Sequence, residues 1–414
     1  MSLSPLVKGT SLPAPLPAPL PWSGLLALAT AAFTAVLTEL LPAGLLPRMA
    51  PALGVPEARI GFLVTAYAVA SFAAAIPVTA LVRGLPRRPV LMGALLGFAA
   101  SNAVVALSSS YPVTVAARVL AGMMGGTLWA MLAGYGARMV PAERRGRAIA
   151  VVLAGITLAL AAGVPAGTAL AEAVGWRPAF GLLSLAGLGV LGWVRWRVPG
   201  FPGEARGGRL PVARVALLPG LPAVLSVTLF LLLGHQVMYT YVAPFSARAG
   251  FGRTGVVLLV FGAATVAGIW VTGLVVDRRP RLALLTALAL CAGVMVVLGR
   301  WAGEPVVLLG AVALWGVAFG GAPTLVQTAL VDASGPAAAD VATSLQATVY
   351  NAGIAGGSLT GGLVLEGAGA GALPWTALPL LVTALAVVAG ARRTAFPGRR
   401  EHDQPTRPRQ GLPG

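Results

Sequence analysis

Twelve apolar stretches of twenty residues or more recur along this chain, each closed by a short segment rich in arginine, glycine or proline. They fall at 23–46, 60–82, 90–109, 112–138, 146–171, 177–198, 220–243, 255–276, 281–300, 305–330, 338–365 and 371–391. A bilayer core about 30 Å thick is crossed by about 20 apolar residues in helical form. Lipid offers no partner to a backbone amide, so each stretch is predicted to be a helix whose hydrogen bonds close within itself. Alternation of apolar and polar residues, the mark of a membrane barrel, is absent. The expected fold is an all-α integral membrane protein of twelve transmembrane helices.

Composition agrees: 57% of residues are hydrophobic and 10% charged, with a mean hydropathy of +0.86. The charge is more informative than its sum of +17. An even number of spans puts both termini on one side. With the termini inside, 22 of the 29 Lys and Arg fall in cytoplasmic segments. Six (Arg48, Arg59, Arg177, Arg248, Arg253, Arg300) fall outside, and Arg118 lies within a span. This is the positive-inside asymmetry. It accounts for the basic charge, and arginines scattered over short loops do not make a nucleic-acid surface. One Lys against 28 Arg, with abundant Ala, Gly and Pro, suggests a GC-rich bacterial genome. The expected location is the bacterial inner membrane, with both termini cytoplasmic. The proline-rich stretch from Ser11 to Pro21 reads as an extended lead-in without the features of a cleaved signal. The single cysteine, Cys291, excludes an intramolecular disulfide.

The one long polar interruption, 199–219, divides the spans six and six. The expected organisation is a disordered lead (1–21), an N-terminal six-helix half (22–198), a cytoplasmic linker (199–219), a C-terminal half (220–391) and a basic tail (392–414). An offset of 194 places Arg87 on Arg281, Gly122 on Gly316, Gly126 on Gly320, Gly163 on Gly357 and Gly167 on Gly361. Paired halves of this kind are the plan of secondary transporters that bind substrate between repeats near the midplane. Glycines four residues apart also make smooth stripes: Gly122, Gly126, Ala130 and Gly134 on the fourth span; Gly155, Ala159, Gly163 and Gly167 on the fifth; Gly353, Gly357 and Gly361 on the eleventh. Such stripes let helices pack closely, and they also suit helices that rock against one another.

Two ionisable groups stand deep in spans, Glu39 and Arg118, and such groups mark function by default. At 1.5 Å per residue both lie about 10 Å from the outer face, so they can pair. Two roles fit: a static pair that fixes the fold, or a proton or cation site on Glu39 tuned by Arg118. His235 lies near the same depth. Gln236, Tyr239 and Asn351 add neutral polar groups, while Tyr67 and Trp129 offer aromatic walls. Together these are the expected lining of a cavity for a neutral or amphipathic small molecule. No P-loop, HExxH, cysteine cluster or GxSxG elbow is present. No cofactor is expected, and no metal.

These residues resemble the major facilitator superfamily, in particular its twelve-span drug:proton antiporters of the sugar-efflux and chloramphenicol-efflux kind, over roughly 22–392. Thr38-Glu39-Leu40-Leu41-Pro42-Ala43-Gly44-Leu45-Leu46-Pro47 is similar to the acidic first-helix signature. Arg118 with Gly122 and Gly126 is similar to the buried-arginine motif tied to proton transfer. Gly155 with Gly163-Val164-Pro165-Ala166-Gly167 is similar to the antiporter motif of exporters. The loop after the second span departs from the pattern: Thr79 replaces Gly, Arg83 replaces Asp, and Gly84 and Pro86 precede Arg87 and Arg88. The second half keeps the fuller copy from Gly273 through Asp277, Arg278 and Arg279 to Arg281. The resemblance implies that these loops act as a cytoplasmic latch, with Asp277 carrying more of it here.

The expected function is proton-coupled export of a drug-like compound or a sugar by alternating access, driven by the proton gradient. The expected partners are the substrate, protons and the lipid bilayer, around a monomer. A facilitator or importer of the same fold is the nearest alternative, and a transport-dead membrane sensor a more distant one. An embedded enzyme lacks a set of catalytic side chains.

Overall fold

The computed structural model describes residues 20–82, 84–141, 144–203, 212–275, 279–392 and 395–396. Asp277, Arg278 and Arg83, expected in the cytoplasmic loops, and nearly all of the lead and tail lie outside the described residues. Proline and glycine set the helix limits. Helix α1 (Trp22–Leu53) runs past the expected 46 and stops at Gly54, whose left-handed φ of 63° lets its N–H reach back to the carbonyls of Ala50 and Pro51. Helices α2 (Glu57–Val82), α3 (Arg87–Leu107) and α4 (Tyr111–Arg138) follow. Helix α5 is built from Arg145–Leu158, a π-helical turn at Ala159–Gly163, and Val164–Val174. Helix α6 (Trp176–Arg197) closes the first half.

After the short helix Val212–Ala216 come α7 (Leu221–Tyr239), a separate short helix Val242–Arg248, α8 (Thr254–Val275) and α9 (Pro280–Trp301). The seventh span was expected to run to 243; it breaks earlier because Pro244 has no N–H to continue the ladder. A helical run over Pro305–Ala368 contains one non-helical residue, Gly335 (φ 68°, ψ 169°). It separates α10 (Pro305–Gly335) from α11 (336–368), and α12 (Leu373–Gly390) ends the bundle. Among the described residues eleven helices are long and apolar enough to cross a membrane. The remaining expected span, α11, has the length; its glycines and its polar residues (Gln346, Asn351, Ser358) dilute its hydropathy.

The two halves repeat one packing plan. On α4, a Cβ at Gly122 would strike the carbonyl oxygen of Tyr67, and one at Gly126 would lie 2.6 Å from that of Ser71, both on α2. On α10, a Cβ at Gly316 would lie 2.5 Å from the carbonyl of Phe261, and one at Gly320 would strike that of Thr265, both on α8. Phe261 and Thr265 stand 194 residues after Tyr67 and Ser71, so the repeat extends to the partners of the glycines. Gly155, Gly163 and Gly167 press α5 onto Ala29, Phe33, Leu37 and Leu41 of α1. Gly353, Gly357 and Gly361 press α11 onto α7 and the residues just after it. Gly134 departs from its expected stripe: nothing lies within 4 Å of a Cβ there. Exposed Leu, Val and Trp side chains such as Leu107, Leu185, Trp270 and Leu363 cover the outside of the bundle, as a lipid-facing surface requires.

The halves touch each other toward the end away from the arginine-rich loops. Thr65 Oγ1 on α2 donates to the carbonyl of Ala355 on α11 at 3.5 Å. The backbone N–H of Gly255 on α8 donates to Glu172 on α5 at 3.3 Å. Tyr241 packs onto Gly61, and Leu258 onto Gly44. Nearer mid-depth, the π turn of α5 brings the carbonyls of Leu160 and Ala161 against Gly262 on α8. Pro165 follows that turn and has no N–H to donate back into it. At the arginine-rich end, the start of the linker is tied to the first half, while its short helix Val212–Ala216 packs against the second. The N–H of Arg87 donates to the carbonyl of Phe201 at 2.9 Å, and the hydroxyl of Tyr135 donates to that of Pro199 at 2.7 Å. In the second half, Arg281 donates to the carbonyl of Ala389 at 3.0 Å.

Candidate functional site

A cavity of about 410 Å³ lies between the halves. Its deep end holds Glu39, His235, Tyr239, Tyr350 and Asn351; its other end holds Leu153, Gln327, Thr343 and Gln346. Along α11 the lining runs from Thr343 to Ile354, about 16 Å at 1.5 Å per residue. Leu153, Thr343 and Ala347 are exposed, so the cavity opens toward the arginine-rich end. Beyond Glu39, the contacts of Gly44, Gly61 and Thr65 close the opposite end.

Five of the six residues expected to line a cavity do so: Trp129, His235, Gln236, Tyr239 and Asn351. Tyr67 does not. It is fully buried, and its ring lies beneath Arg118, with the guanidinium carbon 4.8 Å from the ring centre. Tyr67 is therefore a wall for the arginine rather than for a ligand.

Arg118, 1% exposed, is placed beside Glu39 as depth counting predicts, but its hydrogen bonds go to backbone. Nη2 donates to the carbonyl of Glu39 at 2.9 Å, Nε to that of Leu63 at 3.3 Å, and Nη1 to that of Thr38. None of these donors engages the Glu39 carboxylate, which lines the cavity instead. The two charges are near enough to interact. A buried guanidinium needs such partners, because an unpaired charge at this depth is costly.

His235 sits in an aromatic box that sequence reasoning missed. Phe319 stacks on one side at 3.6 Å between ring centres, Tyr239 stacks at 5.1 Å, and Trp315 and Phe261 stand at 5.2 and 5.7 Å. The imidazole Nδ1 is buried with no hydrogen-bond partner among the described residues. Gln346 donates to Thr228 Oγ1 at 3.4 Å, and Gln327 to Thr343 Oγ1 at 3.3 Å. Asn351 donates to the carbonyl of Ala347.

For the rest of the lining the repeat itself is a signal. At the offset of 194, Trp129 corresponds to Pro323, Leu153 to Ala347, Ile156 to Tyr350 and Leu160 to Ile354, and all eight line the cavity. On α1 and α7 the offset becomes 196, pairing Val36 with Leu232, Glu39 with His235 and Leu40 with Gln236, again all lining. Glu39 and His235 thus hold equivalent places in the two halves.

Among the described residues no group of three or more His, Cys, Asp or Glu side chains is placed to hold a metal. The arrangement offers one carboxylate, one imidazole, several amides and aromatic faces around a small space.

The family model of the Major Facilitator Superfamily matches residues 28–358. A chloramphenicol resistance protein of Streptomyces lividans is 36% identical over 370 residues, which cover 87% of this chain and 93% of that protein. The purine ribonucleoside efflux pump NepI of Escherichia coli (strain K12) is 29% identical, covering 89% of this chain and 94% of the pump. Among solved structures, the human organic anion transporter MFSD10 (TETRAN) superposes with a TM-score of 0.66 at 20% identity, over 89% of this chain and 98% of that one. Two packed six-helix repeats, a cavity between them and relatives matched over nearly their full length lead to one assignment: the chain belongs to the Major Facilitator Superfamily and is a multi-pass membrane transporter, not an enzyme.

Proposed function

We propose that this transporter exports small neutral molecules in exchange for protons, from the cytoplasm of a bacterium. The observation that carries the reading is the deep, single carboxylate of Glu39 at the blind end of a cavity that opens toward the arginine-rich loops. The positive-inside asymmetry makes that end cytoplasmic, so the open cavity faces the side from which an exporter loads. Glu39 takes a proton from the outside when the halves rock the other way, and gives it up inside as substrate enters. The relatives' names support efflux.

The lining favours planar compounds with several hydrogen-bonding groups. The ring faces of Phe319, Tyr239 and Trp129 offer stacking, while Gln236, Gln327, Gln346 and Asn351 offer both donors and acceptors. A nucleoside or an aryl compound with hydroxyls fits that description; a bare sugar leaves the aromatic wall unused. Replacing Phe319 by alanine removes one stacking face, worth about 0.5–1.5 kcal/mol. KM for an aromatic substrate is expected to rise about two- to twelvefold, with a non-aromatic polyol unaffected, in counterflow assays.

The deciding experiment is proton flux in proteoliposomes with an imposed pH gradient and a panel of purine nucleosides and chloramphenicol. Wild type is expected to move protons inward as substrate leaves. Glu39→Gln is expected to lose gradient-driven transport and to retain binding. Substrate movement indifferent to both the gradient and the substitution would leave a facilitator.

A further inference from the structure

Helix α1 carries Pro42 in its interior, and a proline there has no N–H for the carbonyl four residues back. That carbonyl belongs to Thr38, and it accepts from Arg118 Nη1. The adjacent carbonyl, of Glu39, accepts from Nη2. The proline ring also crowds the carbonyl it cannot bond and tips it out of the helix axis, toward α4. Thr38 is fixed a second time through its side chain, since Asn102 Nδ2 on α3 donates to Thr38 Oγ1 at 2.9 Å. With Nε on Leu63 of α2 and the Tyr67 ring below, the guanidinium is held on three sides by α1 and α2.

We infer that Pro42 is the positioning residue of the site: by leaving the Thr38 carbonyl without a helical partner, it draws the Arg118 donors onto backbone and keeps them off the Glu39 carboxylate. A guanidinium beside a carboxylate otherwise closes on it as a charge-assisted fork. A closed Glu39–Arg118 pair is a fixed ion pair, whereas an open Glu39 faces the cavity. Tyr350, on α11 of the other half, lines the same cavity. The inference rests on the reading of Glu39 as the exchangeable carboxyl, and its test is independent of transport.

A double-substitution cycle on the full-length protein in detergent carries the test, read by thermal melting. Arg118→Met removes every donor and leaves the Thr38 carbonyl bare, so the melting midpoint is expected to fall by about 10 °C or more. Adding Pro42→Ala restores an N–H to that carbonyl, and the double variant is expected to regain about half of the loss. A double variant that melts at or below Arg118→Met would overturn the inference. Where Arg118→Met does not accumulate as folded protein, Arg118→Lys with and without Pro42→Ala is read by the same criterion.

The second readout is the rate at which a hydrophobic carbodiimide adds to the Glu39 carboxyl, followed by mass spectrometry of its peptide. In Pro42→Ala the released Nη1 closes on the carboxylate, and labelling is expected to slow several-fold. An unchanged rate would remove the positioning role while leaving proton antiport standing. Proton-coupled transport by Glu39→Gln would remove Glu39 as the exchangeable carboxyl while leaving the Pro42–Arg118 cycle to its own result.

Discussion

Oxidising a double-cysteine variant at Thr65 and Ala355 is expected to stop transport completely, and a reductant to restore it. The two positions face each other across the halves, with Thr65 Oγ1 3.5 Å from the Ala355 carbonyl. They belong to the closed end of the cavity, beyond Glu39. Alternating access requires this end to part so that substrate leaves, and a covalent bridge between α2 and α11 forbids it. The native thiol does not interfere, since Cys291 is buried in α9. Substrate binding from the open end is expected to survive the cross-link, because the lining from Leu153 to Gln346 is untouched. Transport measured in proteoliposomes before oxidation, after it, and after reduction distinguishes a locked gate from a damaged protein. Undiminished transport with the bridge in place would mean that this seam is not a gate at all.

The fold was legible because lipid leaves the chain few choices. Each apolar stretch must close its own hydrogen bonds, so length and apolar character place all twelve spans, α11 included despite its polar residues. Helix ends were less legible where proline acts locally: α7 stops before Pro244, and α10 turns into α11 at one residue, Gly335. Depth counting placed Glu39 and Arg118 together, since a rise of 1.5 Å per residue is a reliable ruler in a straight span. The ruler says nothing of which atoms meet. That Arg118 spends its donors on the carbonyls of Thr38, Glu39 and Leu63 is a matter of backbone placement in α1 and α2, which depth counting does not reach.

The aromatic box was hidden for a different reason. His235, Phe261 and the Trp315–Phe319 pair lie on three different spans, each unremarkable in its own apolar surroundings. The packing of α7, α8 and α10 brings them onto one wall. Tyr67 shows the converse: it is the mate of Phe261 at the offset of 194, yet Phe261 lines the cavity while Tyr67 supports Arg118. The halves share a scaffold and diverge in chemistry, with the acid and its arginine on one side and the imidazole and its rings on the other. Such a division suits a transporter in which one half handles the ion and the other the solute.

The shared scaffold makes the second large prediction. Gly122→Val and Gly316→Val are expected to abolish folded protein to the same degree, although they lie in different halves. In each, the first added carbon meets a backbone carbonyl, Tyr67 on α2 or Phe261 on α8. A side chain in the way can rotate; a carbonyl held in a helix cannot, so the pair of helices must separate. Forcing extra carbons into a packed interior costs about 1–3 kcal/mol where neighbours can yield, and rigid backbone on the opposing side puts these two at or above the upper figure. Separation would also unseat Tyr67 from Arg118 in the first half and Phe261 from His235 in the second, which carries the damage into the site. Gly134→Val, on α4 three turns further along, is the control, because open space surrounds its Cβ position. It is expected to change the melting midpoint by no more than its modest helix propensity allows, about 0.5 kcal/mol. Yield of monodisperse protein and thermal melting of the three variants decide the matter. Tolerance of valine at Gly122 would break the correspondence of the halves at the contact where it is tightest.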